Sequence, residues 1–115
     1  MTTGQVAPAA AQDYRLGFRS LHEEIAVDSL PVEGTVPAWL EGTLVRNGPA
    51  NYEVGDRRVN HWFDGQAMLH RFAFAEGNVS YANRFLQSRA RRAAEENGRI
   101  TYAEFATDPC RSLFQ

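Results

Sequence analysis

Between Met68 and Leu86 the sequence alternates, twice over, with the two-residue period of a β-strand. In the first run Met68, His70, Phe72 and Phe74 fall on one side, with Leu69, Arg71, Ala73 and Ala75 on the other. In the second, Val79, Tyr81, Asn83 and Phe85 alternate with Ser80, Ala82, Arg84 and Leu86. Between them Ala75-Glu76-Gly77-Asn78 reads as a turn in which Gly77 can take positive φ. The pattern predicts a β-hairpin, and the strand-turn-strand texture around it is that of a sheet protein.

The segments ahead of the hairpin are less regular. Thr43-Leu44-Val45-Arg46 predicts a short strand running into Asn47-Gly48. Asn-Gly is a hairpin signal, but Pro49 would have to open the return strand without an N–H, so a sharp exit at Asn47-Gly48-Pro49 is expected instead. Leu30 to Pro37 contains two prolines and is an edge strand at best. Pro37 suits the start of a one-turn helix, Ala38-Trp39-Leu40-Glu41, closed by a left-handed Gly42. The apolar residues from Tyr14 to Leu30 fit neither period and read as an arm packed along something else. Gly55-Asp56-Arg57-Arg58 is a polar turn before the chain re-enters at Val59. Residues 1–13, with little to bury, are expected to be a disordered tail.

After the hairpin, Ser88 to Asn97 predicts a helix capped by Ser88 and ended by Gly98. Arg89, Arg91 and Arg92 lie at its positive end, and Arg91/Glu95 and Arg92/Glu96 run in the less favourable order. Such a helix needs tertiary support, and its arginines read as a solvated face. Ile100 to Phe105 reads as a further strand and Thr107-Asp108-Pro109 as a turn.

Composition narrows the classes of function. With 115 residues, a net charge of -2 and a pI near 5.9, the chain has the length of one domain and no basic footprint for nucleic acid. No apolar run approaches the roughly 20 residues of a spanning helix. Met1 to Gln12 lacks the basic start of a secretory signal, which makes a cytoplasmic location the expectation. Cys110 is the one cysteine, so neither an intrachain disulfide nor a thiolate cluster can form, and it reads as a small packing residue.

His61, Asp64 and His70 are the one constellation with metal-ligand residue types in close spacing. On a continuous strand His61 and His70 would face opposite sides, and a turn at Asp64-Gly65 that corrected this would use Asp64 in the turn. The residues are therefore read as structural: Asp64 caps a turn through its own backbone, and His61 and His70 are hydrogen-bonded packing residues. His22 is read as a surface or rim residue, and Trp62, Phe63 and Met68 as core rather than ligand-facing. There is no Gly-x-Ser-x-Gly elbow, P-loop or dinucleotide fingerprint.

Four pieces of the chain, taken together, resemble the N-terminal region of the carotenoid cleavage oxygenases, the family of apocarotenoid, β-carotene and lignostilbene oxygenases. They are Leu30 to Gly42, Arg46-Asn47-Gly48-Pro49, His61-Trp62-Phe63-Asp64-Gly65 with Met68 to Phe72, and Gly77 to Phe85. They fall in the family's order across residues 14 to about 87, and residues 88–115 carry a weaker similarity. The resemblance implies a mainly β fold in which residues 14–115 form an incomplete N-terminal part, about one to two blades, of a seven-bladed β-propeller with one short helix. Seven blades need on the order of 300 residues, so this chain is expected to be a piece of the whole.

In the complete family fold one Fe(II), held by four histidines of later blades, uses O2 to split a conjugated C=C bond into two carbonyl products. None of those histidines matches His22, His61 or His70, so no catalytic, cofactor-binding or metal-binding residue is assigned to this chain, which alone is expected to bind no iron and to be inactive. The implied partner of the complete protein is an apolar polyene or stilbene, with no nucleic acid and no transmembrane segment; peripheral contact with a membrane is left open. The alternative is a short non-catalytic module that binds an apolar ligand or completes a partner.

Overall fold

The computed structural model describes residues 14–110, and the tail expected at 1–13 lies outside them. Six strands and one helix follow in order: β1 (Ala26–Val27), β2 (Gly42–Asn51), β3 (Glu53–Val54), β4 (Arg57–Arg58), β5 (Gln66–Ala75), β6 (Asn78–Phe85) and α1 (Arg89–Asn97), with 3-10 turns at Tyr14–Phe18 and Trp62–Asp64. One four-stranded antiparallel sheet has the order β1-β6-β5-β2, and β3 and β4 form a small hairpin of their own.

The predicted hairpin is the centre of the sheet. β5 pairs with β6 from Met68↔Phe85 to Ala75↔Asn78. Glu76 (φ 52°) and Gly77 (φ 76°) are both left-handed, as the two central residues of a turn matched to the twist of its strands must be. Helix α1 also forms where it was expected. Ser88 Oγ accepts from the Arg91 N–H at the first turn, and Gly98 closes the last in the left-handed conformation.

Asn47-Gly48-Pro49 corrects the sequence reading. The chain does not leave the sheet there; β2 runs straight through, pairing with β5 from Gly42↔Phe74 to Pro49↔Ala67, and slips register only before Asn51↔Gln66. The reason lies in which way the backbone faces. The Leu86 N–H donates to the Ala67 carbonyl at 2.8 Å, so Ala67 turns its backbone groups toward β6. By alternation Met68, His70, Phe72 and Phe74 turn theirs toward β2 and bond with Gly48, Arg46, Leu44 and Gly42. Thr43, Val45, Asn47 and Pro49 therefore face away from β5, on the outer edge. Proline is harmless to the ladder at such a position.

Other expectations are also corrected. In place of the helix at Ala38 to Glu41, Pro37 to Leu40 makes a β-turn, closed by the Leu40 N–H on the Pro37 carbonyl at 3.1 Å, and Gly42 opens β2 instead of ending a helix. Leu30 to Pro37 and Ile100 to Phe105 form no strand; in the first, Pro31 and Pro37 have no N–H to give a ladder. Cys110 is exposed rather than packed.

The arm expected from Tyr14 to Leu30 does pack along something. The Leu21 N–H donates to the Ala50 carbonyl (2.8 Å) on the outer side of β2; further on the Asn83 N–H donates to Ile25 (3.0 Å) and the Leu30 N–H to Val79 (2.8 Å) on the outer side of β6. The arm thus crosses one end of the sheet from edge to edge. The Ile25 N–H to Asn83 Oδ1 bond (2.6 Å) fixes the crossing and gives the buried Asn83 side chain a partner.

The core is thin. Ala50, Met68 and Phe85 make its one buried apolar cluster among the described residues. Arg91 closes this end: its guanidinium lies 3.7 Å from the centre of the Phe85 ring, donates to Gln66 Oε1 at 2.7 Å and pairs with Glu95 at 2.7 Å. It is a packing residue of α1, not part of a solvated face.

Candidate functional site

The sequence concentrates its chemistry in His61-Trp62-Phe63-Asp64-Gly65, and the fold turns this stretch into a tight 3-10 turn leading into β5. His61 caps the turn with its side chain, Nδ1 accepting from the Phe63 N–H at 3.0 Å. Gly65 is required by crowding: a Cβ there would stand 2.8 Å from the Pro49 side chain and 2.9 Å from the Tyr52 ring. The turn is thereby pressed against the bulged end of β2.

Asp64 serves a distant segment where the sequence reading had it cap its own turn, a role that falls to His61. Asp64 is buried, and its carboxylate reaches a loop 41 to 43 residues away, accepting from the N–H groups of Phe105 (2.8 Å) and Ala106 (3.0 Å) and from the Thr107 hydroxyl (2.7 Å). Asn60 ties the same two segments: its N–H donates to Thr107 Oγ1 (2.8 Å) and its side chain to the Ala106 carbonyl (2.9 Å). Thr107, 1% exposed, is both donor and acceptor at the centre of this clasp.

The clasp brings Phe105 against the turn. Its ring centre lies 5.1 Å from that of His61 and 5.4 Å from that of Phe63, and Trp62 meets Phe63 edge-on at 4.4 Å. These rings are not core, contrary to the reading of Trp62 and Phe63: Trp62, Phe63 and Phe105 are 48%, 59% and 72% exposed. Met68, the third residue of that reading, is fully buried as expected. The result is an apolar shelf of interlocked rings held in place by a buried carboxylate.

Glu104 sits at the clasp's edge, and its carboxyl is raised above its ordinary value of 4.5, chiefly by burial and then by the charge of Asp64. A carboxyl raised on folding binds its proton more tightly in the folded state. It contributes most to stability below the ordinary value, and that contribution is lost as pH rises through the raised one. Glu104→Gln is accordingly expected to raise the thermal midpoint at pH 7 and to flatten its decline above pH 4.5. A midpoint that falls at pH 7 would contradict this origin.

The other candidates are dispersed. His70 points from β5 to Tyr81 on β6, Nδ1 and the phenol oxygen being 2.7 Å apart with the rings stacked. His22 is exposed, 4.0 Å from Glu53. Among the described residues no three His, Cys, Asp or Glu side chains converge as a metal site would require. Tyr81 was readable beforehand, since the hairpin register sets it opposite Phe72 and diagonal to His70. Phe105, Thr107 and Asn60 carried no local signal.

Comparison with known proteins places this geometry in context. The family model described as retinal pigment epithelial membrane protein matches residues 18–113. The β,β-carotene 15,15'-dioxygenase of Rattus norvegicus is 45% identical over 100 residues, covering 84% of this chain and 18% of the relative. Among solved structures, a chimera of apocarotenoid oxygenase (ACO) and RPE65 matches with a TM-score of 0.75 and 37% identity, over 79% of this chain and 19% of the other. A cobalt-substituted Synechocystis ACO matches with a TM-score of 0.74 and 36% identity over the same shares. The chain thus spans about a fifth of the length of the proteins it resembles.

Proposed function

The chain belongs to the carotenoid oxygenase family, and on that premise we propose that it is the N-terminal segment of an Fe(II)-dependent enzyme that uses O2 to cleave a conjugated C=C bond of a carotenoid, apocarotenoid or stilbene. The segment alone is inactive. Its mainly β fold is an open portion of the propeller of these oxygenases.

The observation that carries the reading is the sheet itself. Leu44, Phe72, Phe74 and Tyr81 share one face, whereas Val45, Leu69, Ala73 and Ala82 share the other with the exposed Arg71 and Arg84. The apolar face calls for a packing layer. Among the described residues buried apolar packing clusters only around Met68 and Phe85. The rest of that layer is the remainder of the enzyme.

The residues present do not fit an iron centre. His61 is engaged with its own turn, His70 with Tyr81, and His22 lies on the surface near Glu53. The metal therefore belongs to the part of the enzyme that follows. What this segment offers the reaction is apolar surface: the shelf of Trp62, Phe63 and Phe105 is of a kind that packs against a polyene and excludes water from it.

A transplant tests the proposal. Exchanging the matching N-terminal segment of Synechocystis ACO for residues 14–110 is expected to yield an iron-loaded enzyme that cleaves an apocarotenoid, whereas the 115-residue chain alone does neither. A folded, iron-loaded hybrid without activity would count against the proposal, and so would stoichiometric iron on the short chain. Tight polyene binding by the short chain alone would favour a ligand-binding module instead.

A further inference from the structure

Both edges of the sheet are partly covered by the arm. It shields β6 from Val79 to Asn83 and β2 at Ala50. Between Gly42 and Asn47, β2 has no neighbour on its outer side among the described residues, and its side chains there are exposed, Leu44 by 52% and Val45 by 54%. The alternation derived above points the N–H and C=O groups of Thr43, Val45 and Asn47 outward. Natural edges of this kind are usually blunted by lysine, an inward charge or a bulge. Here the bulge and Pro49 come only after the open stretch, and they mark its end.

The sequence of that stretch is close to self-complementary when laid antiparallel on itself. In Gly42-Thr43-Leu44-Val45-Arg46-Asn47-Gly48, pairing about Val45 sets Gly42 against Gly48, Thr43 against Asn47, Leu44 against Arg46 and Val45 against Val45. No two like charges face each other. The residues with outward backbone groups are the same three that this register makes hydrogen-bonded pairs. We propose that the 115-residue chain forms a two-fold dimer by antiparallel pairing of β2 with β2 of a second copy, centred on Val45.

The pairing forms one eight-stranded sheet and is isologous, so it closes at two copies. Six backbone hydrogen bonds cross it: two between the Val45 residues and two in each Thr43–Asn47 pair. Arg46 of each copy lies over Leu44 of the other, where its stem covers the leucine and its head stays in water. The inference goes beyond the oxygenase reading, because it concerns the short chain by itself.

The test uses the orientation of the backbone. Val45→Pro removes an outward N–H and leaves the β2–β5 ladder intact, as Pro49 already does four residues on. Val45→Lys, as a second variant, sets two ammonium groups face to face. Sedimentation equilibrium across micromolar to millimolar concentrations is expected to show a monomer–dimer equilibrium for the unmodified chain. In both variants its midpoint should move up by about tenfold or more, from the loss of two backbone hydrogen bonds in the proline variant and from the repulsion of like charges directly opposite in the lysine variant, with far-UV circular dichroism unchanged. Amide exchange supplies a check in the unmodified chain: protection at Thr43, Val45 and Asn47 should grow with concentration, whereas Leu44 and Arg46 are protected throughout.

A monomer at all concentrations would overturn the proposal, as would a dimer or larger assembly indifferent to both substitutions, or concentration-independent exchange at Val45. None of these results touches the oxygenase reading, which rests on the activity of the transplant.

Discussion

Replacing Asp64 by alanine is expected to release the 104–107 loop and to remove about 2–4 kcal/mol of stability. Three donors lose their shared acceptor. A buried donor left unpaired costs about 1–3 kcal/mol, and the sum is reduced because the freed backbone at Phe105 and Ala106, both exposed, can take up water. The Thr107 hydroxyl cannot do so without leaving its buried position. Asp64→Asn keeps one acceptor oxygen and turns an amide donor toward the other donors, so it should lose about half as much. Urea unfolding gives the magnitudes, and amide exchange at Phe105 and Ala106 reports the loop directly. Unaltered protection there, with a loss under about 0.5 kcal/mol, would show that the clasp is not what holds the shelf together.

Met68→Ala is expected to have an effect at least as large. Met68 is fully buried, next to Ala50 and Phe85, where β2, β5 and β6 meet. Truncations of this kind cost about 2–5 kcal/mol, depending on how far the site can collapse. In a buried cluster of three residues little else is available to fill the space, and whole-domain stability of small proteins is itself only about 5–15 kcal/mol. The variant should be largely unfolded at 37 °C, whereas Met68→Leu, nearly volume-conserving, should lose less than about 1.5 kcal/mol. Near-UV circular dichroism and the urea midpoint separate the two. A folded alanine variant with an unchanged midpoint would mean that Met68 is not the keystone of this end of the sheet.

What was legible in the sequence was local. The hairpin register followed from side-chain alternation and a two-residue turn, and the helix limits from Ser88 and Gly98, because each is settled by residues within a few positions of one another. The misreadings share the opposite property. Whether Pro49 breaks a strand depends on which side of β2 carries its nitrogen, and that is decided by the pairing of β5 with β6. Whether Asp64 serves its own turn or another segment depends on a loop some forty residues away. Arg91 looked solvated because Phe85 and Gln66 lie outside its helix. Ile100 to Phe105 had the residue types of a strand and pairs with no strand among the described residues.

The family was legible for a different reason. His61 to Gly65 has few ways to vary: His61 caps, Asp64 clasps, and Gly65 fits against Pro49 and Tyr52 with no room for a side chain. A stretch so constrained is distinctive whatever its chemistry. It also brings Trp62, Phe63 and Phe105 into one group of touching rings.

The strand order β1-β6-β5-β2 has a consequence for how the polypeptide is made. Every pairing in the large sheet includes β5 or β6, yet two of the four strands precede both in the chain. During synthesis the arm and β2 emerge from the ribosome first; β2 has no partner until β5 follows it, and β1 none until β6 does. The earlier strands are therefore recruited backward onto later ones, which is the slower, non-local kind of assembly. A pause in translation ahead of Gln66 prolongs the time for which the backbone groups of Leu44 and Arg46 stand unpaired, and a pause after Ala75 does not.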